Sequence, residues 1–181
     1  DEYYQKLSQT IIHNANNLET RLAELMDIVK TGTGRLQLQL EPVDMKSLLQ
    51  GIGWQMSPIL QGKEQKLNIE LQNSLPIIHG DGQRLEQVVL NLMTNAHKFT
   101  PKGGSVTLRA LKRDTGLLIE VQDNGIGIPK DKLESIFEMF KQADGSTTRE
   151  FGGTGLGLAI TRRIIEQNGG TIECKSKPNE G

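Results

Sequence analysis

Between residues 84 and 98 the sequence places polar side chains at steps of three and four: Arg84, Gln87, Asn91, Asn95 and Lys98. On a helix those steps form one line, beside an apolar line of Leu85, Val88, Val89, Leu92 and Ala96. Asparagine is a mediocre helix former, so two of them one turn apart on one face gain nothing from propensity. Their amide oxygens suit Mg²⁺, which prefers oxygen and usually completes its shell with water and substrate phosphates. Lys98, nearly a turn further on, would meet the same phosphates as a point charge. A solvated polar face is the alternative reading of this line.

Two glycine-bearing stretches could supply the rest of a nucleotide pocket. Asp123-Asn124-Gly125-Ile126-Gly127-Ile128-Pro129 follows the alternating Leu117, Ile119 and Val121, so a carboxylate stands at a strand end with two flexible glycines behind it. That can build a pocket wall or simply a turn, because Asp, Asn and Gly are strong turn formers. Gly152-Gly153-Thr154-Gly155-Leu156-Gly157 leads directly into a helical pattern. Backbone N–H groups at a helix start, freed of side chains, form an anion cradle, with a flexible hinge as the alternative. Two other phosphate motifs are excluded. No Gly-Lys-Ser/Thr loop occurs, and the dinucleotide pattern fails because Leu158 stands where its third glycine belongs.

The elements that would position these residues can be read from periodicity. Residues 2 to about 31 form one long helical pattern with Leu7, Ile11, Leu18, Leu22, Leu25, Met26 and Val29 on a stripe, and Asn14 on the same stripe. Such a stripe needs a partner helix to cover it, and Thr31-Gly32-Thr33-Gly34 ends the run. Leu36, Leu38 and Leu40 alternate as a strand that Glu41-Pro42-Val43-Asp44 should break. Asp44 is an N-cap for a helix from Met45 to about Gly62, weakened by two internal glycines and Pro58. Two short strands follow at Leu67, Ile69, Leu71 and at Ile77, Ile78. Asp81 then caps the helix that runs to about His97. Val106, Leu108, Ala110 and Leu117, Ile119, Val121 make an antiparallel pair joined at Arg113-Asp114-Thr115-Gly116. A short helix is expected from Asp131 to Phe140, then a polar run from Lys141 to Glu150, a helix from Leu158 to Gln167, and a last strand from Thr171 to Lys175. The fold class expected is α+β: one long helix, residues 1–34 with its linker, then at 35–181 a two-layer sandwich with helices on one face of a mixed sheet.

Composition narrows the function. With 21 basic against 22 acidic residues and a net charge of -1, neither nucleic acid nor an anionic membrane is signalled as a partner. The single cysteine, Cys174, excludes an intramolecular disulfide and a Cys-based zinc site, and fits a reducing compartment such as the cytoplasm. No apolar run approaches the ~20 residues needed to span a bilayer, so no direct membrane contact is expected of this stretch, whatever anchor a parent protein carries elsewhere. A start at Asp1 and an end at Gly181, after a loop-like Lys177-Pro178-Asn179-Glu180, suggest an excised piece that lacks a final strand.

Together the three stretches resemble sensor histidine kinases. Asn91-Leu-Met-Thr-Asn95-Ala-His-Lys98-Phe99-Thr100-Pro101 resembles that family's N box, Asp123-Asn124-Gly125-Ile126-Gly127 its first glycine box, Phe137-Glu-Met-Phe140 its F box, and Gly153-Thr-Gly155-Leu-Gly157-Leu its second glycine box. Order and spacing of all four make the match specific, and it covers the chain from about Leu36 onward. The preceding helix is similar to the second helix of the family's dimerisation and phosphotransfer hairpin.

The resemblance implies a Bergerat-type ATP-binding fold that takes Mg-ATP. It implies that Asp123 accepts a hydrogen bond from the adenine amino group, with Gly125 and Gly127 letting the base approach and Ile128 beside it. Asn95 would hold Mg²⁺, Asn91 would assist the metal or the acceptor, Lys98 would meet phosphate and Phe99 would lie against adenine or ribose. Arg149 would reach the terminal phosphate, and Gly153, Thr154, Gly155, Leu156 and Gly157 would line the phosphate tail. The wider superfamily's hydrolytic members place a glutamate where this chain has Asn91, and an amide cannot activate water, so transfer to a protein acceptor is the expected reaction. The acceptor would be a histidine outside this chain, because His13, His79 and His97 lack the family's acceptor context; the fragment should therefore not label itself. Implied partners are a response regulator receiver domain and, through the hairpin in a full-length protein, a second copy. Open alternatives are a hydrolytic ATPase, a serine kinase sharing the pocket, and a silent interaction module.

Overall fold

The computed structural model describes residues 38–114, 116–141 and 155–181, together with Tyr4, Leu7, Ser8, Ile11, Ile12, Ala15, Leu18, Leu22 and Met26. The chain divides into two compact units, Asp1–Gln37 and Leu38–Gly181. In the first unit every described residue is helical, and the apolar ones, from Tyr4 to Met26, are exposed. The expected linker at 31–34, Leu36, His13 and Asn14 lie outside the described residues.

The second unit begins differently from the sequence expectation. Residues 38–40 form no strand, and the first strand, β1, is Glu41–Asp44 itself. It pairs antiparallel with β3, Ile77–Gly80, so that Pro42 faces His79. A proline is tolerated there because each strand of a two-stranded ribbon is an edge, and the missing N–H can face away from the ladder. Asp44 ends β1 and caps helix α1, Met45–Gly62, accepting hydrogen bonds from Lys46 N and Ser47 N. Its carboxyl pKa is lowered chiefly by the hydrogen bond from the Ser47 hydroxyl. α1 continues through Pro58 and both internal glycines. A Cβ on Gly53 would collide with the end of Ile69, so this glycine lets α1 lie close on the sheet.

That sheet consists of β2 (Lys66–Leu71), β4 (Ser105–Arg113) and β5 (Gly116–Asp123), in the order β2-β4-β5, parallel between β2 and β4 and antiparallel between β4 and β5. Period-2 alternation puts Val106, Leu108 and Ala110 of β4 and Leu117, Ile119 and Val121 of β5 on one face. They pack with Leu49, Ile52 and Met56 of α1 and with Leu85, Val89 and Met93 of α2, Gly82–Phe99, in a single core. The opposite face carries Arg109 between Glu70 and Glu120, at 2.8 and 3.3 Å. One face covered by helices and one charged face make a two-layer α+β sandwich, as expected.

Helix α3, Gly157–Gln167, runs antiparallel to α2. Asn168 at its end accepts from Asp81 N at the start of α2, while Gly157 at its start lies against Asn91 further along. A Schellman turn closes α3: Gly169 N donates to Glu166 O, Gly170 N donates to Ile165 O, and Gly169 adopts φ +78°.

Two further expectations are corrected. The segment from 131 to 140 forms two 3₁₀ turns, Lys130–Lys132 and Ser135–Phe137, rather than one helix. Thr171 to Lys175 forms no strand: alternation identifies a face, but a strand also needs a ladder, and among the described residues β5 pairs only with β4. No described helix is long and apolar enough to cross a membrane.

Candidate functional site

Asp81 sets the register of α2 by accepting from Arg84 N at 3.1 Å, and the helix then carries Asn91, Asn95 and Lys98 along one line. Successive members rise about 4.5 to 6 Å along the axis. Buried Leu85, Val88, Val89, Met93 and Ala96 fix the opposite face in the core, so the polar line must border the layer rather than enter it. Arg84 and Gln87 at the start of the line hydrogen-bond to each other at 2.7 Å.

Asn91 is engaged by α3. Its Nδ2 donates to Thr161 Oγ1 at 2.8 Å, and Thr161 is 1% exposed. Its Oδ1 lies where Gly157 leaves room: a Cβ at Gly157 would sit 2.6 Å from that oxygen. The start of the glycine-rich helix is thus pressed against the middle of the polar line. The side chain of Asn95, half-buried, makes no hydrogen bond among the described residues, which leaves its amide oxygen able to bind a cation. Among those residues no group of three or more His, Cys, Asp or Glu side chains could hold a metal ion. Lys98 places its ammonium 4.7 Å from the centre of the Phe99 ring, and partial burial lowers its pKa from the ordinary lysine value.

Asp123 comes from the other layer. It is the last residue of β5 and pairs with Val106, so the pleat directs it to the same face as Leu117, Ile119 and Val121, the face that α2 covers. Its Oδ1 accepts from Gly125 N at 2.8 Å, the geometry of an Asx turn, so turn and carboxylate presentation are one structure. The loop then meets the end of α2. Ile126 N donates to Phe99 O at 3.3 Å, and a Cβ on Gly125 would come within 2.5 Å of that oxygen. Gly127, at φ +66°, lies against the carbonyl of Lys177. Ile128 N donates to Ser176 Oγ at 2.8 Å.

Of the residues singled out in the sequence, Asn91, Asn95, Lys98, Phe99, Asp123, Gly125, Gly127, Ile128, Gly155, Leu156 and Gly157 are described; Arg149, Gly153 and Thr154 lie outside the described residues. Contacts join the asparagine line to the start of α3, and the end of α2 to the Asp123 loop. Gly155, at φ +69°, also accepts from Phe140 N at 3.0 Å, linking the F-box end to the second glycine stretch. Three supporting residues were not anticipated. Thr161 holds Asn91; Asn124 accepts from Ser105 N at 2.7 Å and fixes the loop to β4; Ser176 holds Ile128. Asn124 alone carried a local signal, as a turn former between an aspartate and a glycine.

Residues 80–181 match the family described as histidine kinase-, DNA gyrase B-, and HSP90-like ATPase. Over 177 residues the chain is 39% identical to the sensor protein GacS of Pseudomonas syringae pv. syringae, a match that covers 95% of this chain and 20% of that protein. It is 38% identical over 178 residues to the signal transduction histidine-protein kinase BarA of Escherichia coli K12, covering 95% of this chain and 19% of BarA. The chain therefore spans about a fifth of the length of these curated relatives. Among solved structures it is similar to full-length ShkA in complex with AMPPNP, with a TM-score of 0.76, 32% identity, and coverage of 91% of this chain and 35% of that one. It is also similar to the catalytic domain of the histidine kinase ThkA, with a TM-score of 0.68, 26% identity, and coverage of 78% and 90%.

Proposed function

This chain belongs to the histidine kinase-, DNA gyrase B-, and HSP90-like ATPase family, and on that premise we propose that it is the ATP-binding catalytic domain of a sensor histidine kinase. It takes Mg-ATP and passes the terminal phosphoryl group to a histidine on another segment, for relay to an aspartate of a response regulator receiver domain. The observation that carries this reading is the junction at the end of α2, where the Asp123 loop and the metal-and-phosphate line meet at Phe99 O.

The residues present fit the ligand. Asp123 engages one carboxylate oxygen with Gly125 N and has the other for the adenine amino group. Gly125 and Gly127 let that loop close on Phe99 O and on the Lys177 carbonyl, with Ile128 beside them. Asn95 offers Mg²⁺ a neutral amide oxygen, which is sufficient for a cation that takes its remaining ligands from phosphates and water. Asn91, whose amide nitrogen is held by Thr161, is oriented by α3 and can assist the metal or the acceptor, but it cannot deprotonate a water. Lys98 and, from outside the described residues, Arg149 offset charge on the phosphates, while Phe99 packs against adenine or ribose. Gly153, Thr154, Gly155, Leu156 and Gly157 line the phosphate tail with backbone N–H groups. Phosphoryl transfer of this kind depends mainly on positioning and charge stabilisation. In the full-length protein the helical unit would pair with a second copy, in the cytoplasm.

Labelling with γ-labelled ATP tests the reaction. The chain alone should stay unlabelled. A phosphoacceptor hairpin supplied from a similar kinase should acquire acid-labile phosphate. Self-labelling, acid-stable label on the acceptor, or steady phosphate release without an acceptor would each contradict the proposal.

A further inference from the structure

The end of α2 is held from behind by two side chains of the turn that closes α1. That turn is a Schellman motif in which Glu64 N donates to Gln61 O and Gln65 N donates to Leu60 O. Glu64 takes φ +55°, a conformation that reverses the chain and sends Lys63 and Gln65 toward α2. Lys63 Nζ donates to three carbonyl oxygens at that end: His97 O and Lys98 O at 3.1 Å and Thr100 O at 2.7 Å. Gln65, 4% exposed, donates through Nε2 to His97 O at 3.0 Å and Thr100 O at 2.6 Å.

A contact on the other side of the Gln65 amide fixes a proton. Since Gln65 Nε2 faces carbonyls, which only accept, its Oε1 must be the atom 2.7 Å from His97 Nδ1. A carbonyl oxygen can only accept, so His97 carries its proton on Nδ1.

A helix C-terminus carries about half a negative charge. It is the wrong end to present to a triphosphate, yet Asn95 and Lys98 stand on its last turns. We propose that Lys63 and Gln65 are positioning residues of the nucleotide site: they cap the terminal carbonyls of α2, offset the negative field at that end, and fix the rotation at which Asn95 and Lys98 face the ligand. The inference rests on the Mg-ATP reading above. It adds two residues that lie about 30 positions upstream of the N box and touch no ligand themselves.

The test compares calorimetric affinities for Mg-ATP and for adenosine in the wild-type chain, Lys63→Met, Lys63→Arg and Gln65→Met, together with the ¹⁵N shifts of the His97 ring. Lys63→Met should weaken Mg-ATP roughly tenfold, within what a cation at a partly buried helix C-terminus contributes, with adenosine changed less than about twofold. Lys63→Arg, which keeps the charge and the donors, should recover most of the loss. Gln65→Met should release the His97 proton from Nδ1. A folded Lys63→Met chain that binds Mg-ATP as the wild type does, or that loses both ligands equally, would overturn the proposal. So would a wild-type His97 protonated on Nε2, a readout that needs no variant to fold. A wild-type chain that binds neither ligand would sink the Mg-ATP reading itself and leave no site to position.

Discussion

Neighbours, rather than residue type, decide what the individual side chains here can do. Asn91 and Asn95 are chemically identical and one turn apart, yet Asn91 is tied to buried Thr161 while Asn95 is unengaged among the described residues. His97, inside the same motif, is drawn into a structural network by Gln65 and Lys63 rather than toward a ligand. Its pKa is lowered, first by burial and then by Lys63. A histidine whose folded pKa lies below the ordinary value near 6.5 takes up its proton more readily in the unfolded chain. Its stabilising effect is therefore complete above pH 6.5 and is lost as pH falls from there toward the folded pKa. Thermal unfolding followed from pH 8 to pH 5.5 should show a fall that is smaller in His97→Gln; equal falls in the two proteins would contradict this.

The elements meet through close backbone approaches, and those approaches depend on missing side chains. Gly125 lets the Asp123 loop touch the end of α2, and an added Cβ there would meet the backbone carbonyl of Phe99, which cannot step aside as a side chain can. Gly125→Ala should therefore cost about 1–3 kcal/mol of stability, the range typical of overpacking, and should weaken nucleotide binding; denaturant unfolding at wild-type stability would contradict this. Much of this level was legible in the sequence. Asp44 and Asp81 announced α1 and α2 because capping is local, and the β4–β5 pair announced itself by alternation on both sides of a turn. What could not be read depended on distant partners. Strand β1 contains a proline and turn formers and exists because β3 pairs with it. The parallel register of β2 on β4, the Asn91–Thr161 bond across 70 positions, and the Lys63 and Gln65 caps have no local pattern at all. Thr171 to Lys175 shows the converse, a local strand pattern without a ladder.

For the whole molecule, the charge separation between layers matters more than the net charge. The helix side of the sheet is apolar and ends in Asp123, while the outer face carries Arg109 paired with Glu70 and Glu120. On the proposed reading, specificity for a nucleotide comes from the rim between the layers, with Asp123 assigned to the base and Lys98 to the phosphates. Adenine donates from its 6-amino group, whereas guanine presents a carbonyl at that position, which a carboxylate repels. The most direct measurement is a calorimetric titration of this chain with Mg-ATP and Mg-GTP, repeated on Asp123→Ala. Mg-ATP should bind at least about a hundredfold more tightly than Mg-GTP, as expected where a site group is left unpaired by the wrong ligand, and Asp123→Ala should lose most of that difference. Equal affinity for the two nucleotides, or no binding of Mg-ATP by the wild-type chain, would contradict the assignment of Asp123 and of the site.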